Sequence, residues 1–370
     1  MEIEKGSKWV KFETMERFMA DVLKGVGVPP ADAAVCADVL ITADKLGIDS
    51  HGISRLKTIY YDRIKQGIQL PKTKFEVVRQ TPTTAVIDGH NGMGHVIAKR
   101  SMEIAIRKAK KYGLGMTAVR NSTHYGIAGY YALMAAEAGM IGITGTNARP
   151  SVAPTFGTEN MLGTNAFTFG MPTDEKFPFL LDCATSTTQR GKIEVYAKLG
   201  KKMPKGWVIN HKGESRTDSG AVLHELVAGT AALVPLGGIG EEMSGYKGYG
   251  YSTVVEILSA ALQQGAYMKM LLGLKDGKKV PYHLGHFFMA INVEAFTTLR
   301  SFKKITGDIL RELRASKKMP GAKKIYTAGE KEHLARLYRK NRGVPLNRET
   351  QKEILGMQAE LGLKNYKFSF

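Results

Sequence analysis

The chain has 370 residues, 43% hydrophobic, 24% charged and 8% aromatic, a composition that excludes a disordered or collagen-like protein. Its net charge is +19, and its two cysteines are too few for a disulfide framework or a thiolate zinc site. It begins without an apolar signal segment and contains no run of about 18 apolar residues that would span a membrane. We therefore expect a globular, cytoplasmic, metal-free protein of two or three domains.

The first 70 residues show the three-and-four spacing of apolar side chains that is typical of amphipathic helices. This spacing predicts helices over Thr14–Lys24, Ala31–Gly47 and Ile53–Gln66. The segment that follows changes to short runs rich in β-branched residues, which predict paired strands. These runs are Phe75–Arg79 and Thr84–Asp88.

Helices and strands then alternate along the middle of the chain. The periodicity predicts a helix over Gly94–Lys111, a strand over Gly115–Arg120, a helix over Ile127–Gly139 and a strand over Ile141–Thr146. Residues 150–182 are rich in Gly, Pro, Thr and Asn and predict strands at Ala166–Gly170 and Phe177–Leu181 between long loops. A helix over Tyr251–Gln264, a buried strand over Phe287–Val293 and three basic helices complete the predicted elements.

The basic residues are concentrated at the C-terminal end, where residues 300–370 contain 18 Lys and Arg against 7 Asp and Glu. Such a segment can bind nucleic acid, or it can form the solvated faces of amphipathic helices. The helical spacing of these residues favours the second interpretation. A nucleic-acid-binding protein without catalysis remains the alternative function.

Several common motifs are absent, namely the P-loop, H-E-x-x-H, C-x-x-C and G-x-S-x-G patterns. A glycine-rich segment, Asp88–Gly94, has the spacing G-x-x-G-x-G, whereas the Rossmann fingerprint is G-x-G-x-x-G. The next predicted strand ends at Arg120 without the carboxylate that binds a ribose in that fold. The segment therefore predicts a tight turn, and a standard Rossmann domain is not supported.

Two histidines stand among small, polar, turn-forming residues. His51 lies in Asp49–Arg55, and His124 lies in Asn121–Gly126. Histidine is the side chain that most readily moves a proton near neutral pH, and the planar fork of an arginine matches a carboxylate. Arg55 follows His51 by four residues, so both side chains can meet one small anion. A capping or turn role for either histidine is the structural alternative.

Two further segments carry groups that suit a phosphate or a ribose. Residues 161–170 and 181–188 contain hydroxyl and amide side chains at predicted strand ends, which can donate to such oxygens or form ordinary turns. Gly245–Gly250, with Lys247, precedes a predicted helix and has the character of an anion site, or of glycines packed closely against a neighbour. Both alternatives stay open for each segment.

Read in order, these segments resemble the type-2 malate/L-lactate dehydrogenase family, which includes sulfolactate, ureidoglycolate and diketogulonate oxidoreductases. The resemblance extends over nearly the whole chain. It is carried by Gly47–Leu56, Asn121–Gly126, Gly157–Asn165, Asp182–Thr185, Gly245–Gly250 and Gly329-Glu330.

The resemblance implies an α/β, non-Rossmann, sulfolactate dehydrogenase-like fold, with helical N- and C-terminal parts around a central mixed or antiparallel sheet that binds the cofactor. It implies an N-terminal domain at 1–120, a cofactor-binding domain at 121–298, and a basic helical segment at 299–370 that packs on the N-terminal domain. The implied function is the NAD- or NADP-dependent interconversion of an L-2-hydroxy acid and its 2-oxo acid by a homodimer. Malate with oxaloacetate is the favoured pair, and lactate with pyruvate is the alternative.

The resemblance also implies roles for individual residues. His124, or else His51, exchanges the proton, while Arg55, Asn121 and Ser50 bind the substrate. The implied cofactor contacts are Thr164, Asn165, Asp182, Cys183, Ala184, Thr185, Ser186, Thr187, Thr188, Lys247, Ala328, Gly329 and Glu330.

Two departures from the family pattern affect these cofactor segments. Ala166 and Ala328 each replace a usual proline, and the loss of that proline can loosen the loop. Arg149 and Arg190 add positive charge that would suit a 2′-phosphate. NAD is the favoured cofactor, and NADP stays open.

Overall fold

The computed structural model describes residues 6–370, except for the side chain of residue 198. Within this range the chain forms eleven α-helices. They are α1 (Phe12–Gly25), α2 (Pro30–Lys45), α3 (Asp62–Lys65), α4 (Gly94–Tyr112), α5 (Gly129–Glu137), α6 (Arg190–Lys198), α7 (Ser219–Ala228), α8 (Gly245–Ala260), α9 (Leu299–Ala315), α10 (Glu330–Arg339) and α11 (Arg348–Glu360).

Thirteen strands lie in the same range. They are β1 (Lys8–Val10), β2 (Glu76–Gln80), β3 (Thr84–Asp88), β4 (Leu114–Ser122), β5 (Met140–Thr146), β6 (Phe167–Met171), β7 (Phe179–Cys183), β8 (Val208–Asn210), β9 (Ala231–Leu233), β10 (Leu274–Lys275), β11 (Lys278–Lys279), β12 (Leu284–Asn292) and β13 (Val344–Leu346).

The main sheet has seven strands in the order β2-β3-β4-β12-β5-β6-β7. Only the β3–β4 pair is parallel among these strands, and the others pair antiparallel, so the fold is a mixed α/β fold. Helices α4 and α5 pack on the sheet, where Ile97 and Tyr131 join Val119 and Phe288 in one buried apolar cluster. This burial explains why the periodicity of residues 94–111 predicted α4 correctly.

The two ends of the chain pack together beside this sheet. Strand β1 pairs antiparallel with β13. Phe18 and Leu40, from α1 and α2, share a buried cluster with Leu346 and Ile354 from the C-terminal segment. The three predicted C-terminal helices are α9, α10 and α11, and α11 has its apolar face in this cluster.

Residues 190–240 contain elements that the periodicity did not predict. Helices α6 and α7 and the antiparallel pair β8–β9 enclose a small apolar cluster of their own. Its members include Ile193, Val208, Val222 and Leu233. The elements are short, with many glycines and lysines between them, which is why their periodicity is weak.

The predicted helix over Ile53–Gln66 is not a regular α-helix. It consists of a 3-10 turn at Ile53–Arg55, a π-helix at Leu56–Tyr61 and the short helix α3. The wider π turn shifts the buried face by one residue, so that Tyr60 and Tyr61 are both buried. Sequence periodicity at 3.6 residues per turn could not anticipate this change.

Strand β7 begins two residues later than predicted, at Phe179. Pro178 has no backbone N–H for the ladder, which explains the later start. The strand consequently extends to Cys183, and Asp182 belongs to the sheet instead of to a loop. The predicted boundary at residue 120 falls within β4, and the division into domains stays a prediction.

Candidate active site

A cleft of about 260 Å³ opens between the loop that follows α2, the loop that follows β4 and the ends of β5, β7 and β12. Its walls mix apolar side chains with titratable and polar groups. Seven of the predicted site residues line it, namely Ser50, His51, His124, Thr164, Asp182, Cys183 and Ala184.

The cleft brings the two predicted histidines together. The ring centroids of His51 and His124 are 5.8 Å apart, and the ring planes meet at 21°. The sequence indicated each histidine separately, and the fold makes them neighbours at one wall of the same cleft.

The loop that carries His51 is held by a buried carboxylate at the end of α2. Asp44 Oδ2 accepts a hydrogen bond of 3.0 Å from the backbone N–H of Ile53. A Cβ at Gly52 would lie 1.9 Å from Asp44 Oδ1, so only glycine fits there. Ser50 Oγ lies 2.9 Å from His51 Nδ1 at the open side of the loop.

A second support for this loop comes from the C-terminal segment. Arg339 of α10 is buried, and its Nη1 donates to the Asp44 carbonyl oxygen at 2.7 Å. Its Nη2 donates to Asp49 Oδ2 at 2.8 Å. An arginine some 290 residues away in sequence therefore fixes the position of the loop, and no pattern in the sequence indicated this.

Arg55 is positioned by the same loop. Its Nε donates to the Ser50 carbonyl oxygen at 2.6 Å, and within residues 6–370 its guanidinium forms no ion pair with a carboxylate. The terminal nitrogens of Arg55 are therefore available to an anion. A second cation, Arg63, lies over the ring of Tyr282 at 4.4 Å, and burial lowers its pKa, with Arg149 and Arg55 contributing. The sequence analysis missed Arg63.

The glycine-rich turn before α4 supports the loop that carries His124. The Gly94 N–H donates to Thr123 Oγ1 at 2.9 Å, and Thr123 Oγ1 donates to the Gly92 carbonyl at 2.8 Å. A Cβ on Gly94 would lie 2.4 Å from the carbonyl oxygens of Thr123 and His124. The glycine thus lets α4 begin directly against the loop that carries His124.

The imidazole of His124 is held from the interior. Tyr60 Oη lies 2.6 Å from His124 Nδ1, and the backbone N of Gly126 lies 3.3 Å from the same nitrogen. Tyr60 is fully buried, and the sequence analysis did not select it. Its only sequence signal is an apolar position in a predicted helix.

Burial lowers the pKa of both histidines. The pKa of His124 lies well below its usual value of 6.5, chiefly through burial and then through the nearby His51 and Arg63. The pKa of His51 falls to about 4, through burial and then through Arg55. Both rings are therefore neutral at pH 7 in the absence of an anion.

Asn121, predicted to bind substrate, is engaged elsewhere. Its Nδ2 donates to both oxygens of Asp88, at 3.1 and 3.0 Å, and its Oδ1 lies 3.1 Å from His283 Nδ1. Its φ of +52° belongs to the left-handed region that asparagine tolerates. Asn121 does not line the cleft.

Asp182 is a half-buried acid on the cleft wall. Its Oδ2 accepts from the Gly129 N–H at 2.7 Å, at the beginning of α5, and its Oδ1 accepts from Thr168 Oγ1 at 2.9 Å. Burial raises its pKa above the usual value, although these hydrogen bonds oppose the rise. Cys183 and Ala184 continue the same wall.

The hydroxyl groups that follow Ala184 donate to backbone carbonyls of the protein. Thr185 donates to Asn165 at 3.0 Å, Ser186 to Thr188 at 2.7 Å and Thr187 to Pro235 at 2.7 Å. Buried Thr188 has a hydroxyl without a partner among the described residues. Asn165 is buried as well, and its amide donates to Glu256 Oε2 at 2.8 Å.

The remaining predicted cofactor residues lie outside this cleft. Lys247 is exposed at the beginning of α8, and Gly329, with a φ of +88°, packs against the Pro178 carbonyl. Buried Glu330 forms ion pairs with Lys324 and Arg314. Ala328, the residue before Gly329 in the same loop, does not line the cleft either.

A different acid of α10 reaches the cleft. Glu332 lines it beside Ile48 and the Asp182–Ala184 wall. Glu332 stands two residues after the predicted Glu330, and no motif in the sequence distinguished it.

Known proteins resemble this chain in both sequence and structure. The family described as "Malate/L-lactate dehydrogenase" matches residues 10–355. The chain belongs to this family. It is 44% identical to a malate dehydrogenase of Pyrococcus horikoshii over 94% of each chain, and 36% identical to an L-sulfolactate dehydrogenase of Methanocaldococcus jannaschii over 96% of this chain and 97% of the relative.

A solved structure agrees closely with the fold. The malate dehydrogenase from Entamoeba histolytica superposes with a TM-score of 0.94 at 46% identity, covering 98% of this chain and all of the other. Membership of the malate/L-lactate dehydrogenase family makes this protein a 2-hydroxy acid dehydrogenase of the malate dehydrogenase-like type. It also implies a nicotinamide cofactor. The resemblance stated from the sequence is thereby confirmed.

Two further features are absent from the described residues. Within residues 6–370, no group of three or more His, Cys, Asp or Glu side chains is arranged to hold a metal ion. No helix in that range has the length and apolar character needed to cross a bilayer.

Proposed function

We propose that the protein interconverts L-malate and oxaloacetate with a nicotinamide dinucleotide, using His124 as the acid and base. The observation that carries this proposal is the stacked pair His51 and His124 on the wall of a cleft that also holds the Asp182–Ala184 segment. The relatives called malate dehydrogenases, at 44% and 46% identity, support malate over other 2-hydroxy acids.

The cleft fits the nicotinamide end of the cofactor. A volume of about 260 Å³ is below that of usual pockets for drug-sized ligands, so it suits a ring with a small acid and not a whole dinucleotide. Ile127 and Leu284 offer apolar walls to a planar ring, and Thr164 offers a hydroxyl. When bound, the nicotinamide supplies or accepts the hydride.

The size of the cleft also divides the predicted cofactor residues into two groups, one for each end of the dinucleotide. We assign Asp182, Cys183, Ala184 and Thr164 to the nicotinamide end, and the other predicted cofactor residues, including Lys247 and Gly329, to the rest of the dinucleotide. This binding would not use a Rossmann fingerprint. Arg190 already forms an ion pair with Glu194 at 3.0 Å. This guanidinium is therefore less available to a 2′-phosphate, which favours NAD.

The substrate is held and activated by separate groups. The free terminal nitrogens of Arg55 bind the C1 carboxylate in a bidentate manner. His124, neutral at pH 7, takes the hydroxyl proton as the 2-hydroxy acid is oxidised, and returns a proton to the oxygen when the 2-oxo acid is reduced. Arg55 lies beside the cleft and donates to the carbonyl of Ser50, which lines the cleft together with His124. Holding the two groups at neighbouring positions converts their encounter into a local step.

We also propose a cytoplasmic homodimer. Helix α9 exposes an apolar stripe, with Ile305, Ile309 and Leu313 each more than half exposed and spaced four residues apart. A second copy of the chain is the partner that the family implies for such a stripe. The two free cysteines, Cys36 and Cys183, are consistent with a reducing compartment.

The nucleic-acid alternative gains little support from the folded chain. Arg311 pairs with Asp174, Arg314 with Glu175, and Arg339 with Asp49. These pairs neutralise part of the C-terminal charge and agree with solvated helix faces. The dehydrogenase function is therefore favoured.

A substrate panel tests the proposal. NADH and NADPH are each mixed with the protein and with oxaloacetate, pyruvate or another 2-oxo acid, and the loss of reduced-cofactor absorbance is followed. We expect the highest kcat/KM with NADH and oxaloacetate. A protein that oxidises neither cofactor with any member of the panel would contradict the proposal.

A further inference from the structure

The two ring nitrogens of His124 have different surroundings. Nδ1 is turned toward the interior, 2.6 Å from Tyr60 Oη and 3.3 Å from the backbone N of Gly126. A backbone amide can only donate, so Nδ1 must offer it a lone pair. Nε2 is the nitrogen left for the cleft that His124 lines.

The direction of the Tyr60 hydroxyl follows from the same amide. The Gly126 N–H is also within hydrogen-bonding reach of the Tyr60 oxygen. An oxygen that accepts from this amide is free to direct its own proton toward Nδ1 of His124. All three groups therefore agree on one arrangement, in which Nδ1 accepts and carries no proton.

The geometry is held in place by close packing. The Tyr60 ring is fully buried, and its centroid lies 4.6 Å from that of buried His95, whose ring nitrogens have no partner among the described residues. Gly126 has a φ of +79°, and a Cβ there would lie 2.7 Å from Val39 Cγ1. A rigid tyrosine and a glycine-dependent amide thus face one nitrogen.

We propose that Tyr60 is a positioning residue which, with the Gly126 amide, holds neutral His124 as the tautomer protonated on Nε2. This tautomer presents an N–H donor to the substrate oxygen. The resting protein is thereby prepared for the keto form of the substrate. The catalytic meaning of this tautomer rests on the proposed function, whereas the tautomer itself is a property of the chain alone.

The tautomer prescribes the proton path during reduction. As C2 of the 2-oxo acid gains a hydride, the carbonyl π electrons pass to its oxygen, which takes the proton from Nε2. Nδ1 takes the Tyr60 proton, so the imidazole stays neutral and the negative charge rests on the Tyr60 oxygen. Because Tyr60 is fully buried and His124 lines the cleft, a proton from solvent enters at Nε2 and the Nδ1 proton returns to Tyr60. Burial raises the pKa of Tyr60, and the nearby Arg63 and Arg55 oppose that rise, so the phenolate is short-lived. Oxidation follows the same path in reverse and starts from the form that has lost one proton to solvent, in which Nδ1 carries the remaining proton and Nε2 is free to accept.

Nitrogen-15 NMR of histidine-labelled protein, without substrate, tests the tautomer directly. In the wild-type protein at pH 7.5 we expect His124 to show an unprotonated Nδ1 and a protonated Nε2, the signals being assigned by their loss in His124→Gln. In Tyr60→Phe we expect a mixture of tautomers. Tyr61→Phe is the matched control, because the neighbouring Tyr61 hydroxyl is buried without a partner among the described residues.

Kinetics provide the second readout. We expect Tyr60→Phe to lower kcat/KM for the 2-oxo acid by about 10- to 100-fold, below the range for loss of a whole acid–base group, with the KM for NADH unchanged. Tyr61→Phe should keep wild-type values. A retained single tautomer together with wild-type kcat/KM in Tyr60→Phe would overturn the proposal.

The wild-type spectrum decides the matter even if Tyr60→Phe does not fold. A proton on Nδ1 of wild-type His124 would overturn the proposal without any variant. A proton on Nε2 in a protein that reduces no 2-oxo acid would support the tautomer and contradict the proposed function instead. The two failures are therefore distinguishable.

Discussion

The two histidine loops of the cleft are alike in sequence and different in construction. His51 lies on a loop near the surface, with Ser50 on its open side and Arg55 beside it. His124 is held from inside the protein by buried Tyr60 and the Gly126 amide. The first arrangement suits the binding of an anion, and the second suits the exchange of a proton.

The difference teaches that turn-forming surroundings alone do not assign a histidine to a role. Both motifs place the ring among small polar residues, and burial lowers the pKa of both rings. What separates them is the partner of Nδ1, which is an exposed serine hydroxyl for His51 and a buried phenol for His124. A fixed partner on one nitrogen orients the other nitrogen toward the reacting atom.

The largest expected effect on activity comes from replacing each of the two histidines, in turn, by glutamine. We expect His124→Gln to lower kcat for oxaloacetate reduction by about 10²–10⁴-fold, because the proton donor is lost. His51→Gln should mainly raise the KM for the acid. Steady-state kinetics of both variants would contradict the comparison if His51→Gln lost turnover and His124→Gln kept it.

A smaller effect is expected for the anion-binding side of the cleft. Arg55→Ala removes a charge-assisted contact worth about 1.5–3 kcal/mol, so the KM for oxaloacetate should rise by roughly 10- to 100-fold. Arg100→Ala is the control, because exposed Arg100 pairs with buried Asp32 outside the cleft. An unchanged KM in Arg55→Ala would remove this arginine from the substrate site.

The support of the His51 loop provides a third test. Arg339→Gln breaks the ion pair with Asp49, and we expect the free energy of unfolding to fall by about 1–3 kcal/mol. The KM for the acid should rise with it, because the loop carries Arg55. Exposed Lys340, the residue that follows α10, provides the control, Lys340→Gln. Wild-type melting and KM in Arg339→Gln would show that the loop holds without α10.

The smallest expected effect concerns the packing behind Tyr60. Burial lowers the pKa of His95 to about 3, whereas an unfolded histidine has a pKa near 6.5. Between these values the unfolded state binds a proton that the folded state does not, so stability is lost as the pH falls below about 6.5.

The variant His95→Gln should remove this dependence. Denaturant unfolding at a series of pH values should show a slope that is shallower by about 1.4 kcal/mol per pH unit between pH 6 and 4.5. His224→Gln, at an exposed position, should keep the wild-type slope. An identical slope in wild type and His95→Gln would mean that His95 is protonated in the folded protein.

Local spacing predicted helix α4 and most of the longer elements outside residues 190–240, and the turn motifs singled out His51 and His124 as candidates. Neither could predict that His51 and His124 stack, since that contact depends on the packing of α2 and β4. Tyr60, Arg339 and Glu332 were missed for the same reason. Each lies in a helical segment without a distinguishing motif, and its neighbours at the site are distant in sequence.

Asn121 and Glu330 show a second limit of prediction from sequence motifs. Both belong to matched family motifs, yet their polar groups are taken by Asp88 and His283 in one case and by Lys324 and Arg314 in the other. Gly94, interpreted as part of a turn, proved to permit the close approach of α4 to the His124 loop. Such roles depend on close packing, which spacing does not reveal.

Isotope effects on a single turnover test most directly whether His124 passes the proton while the hydride moves. The account predicts that reduction of oxaloacetate by the wild-type protein is slowed both by deuterium on the transferred cofactor position and by D₂O, and that His124→Gln loses the D₂O effect while it keeps the hydride effect. A D₂O effect that survives in His124→Gln and disappears in His51→Gln would contradict it.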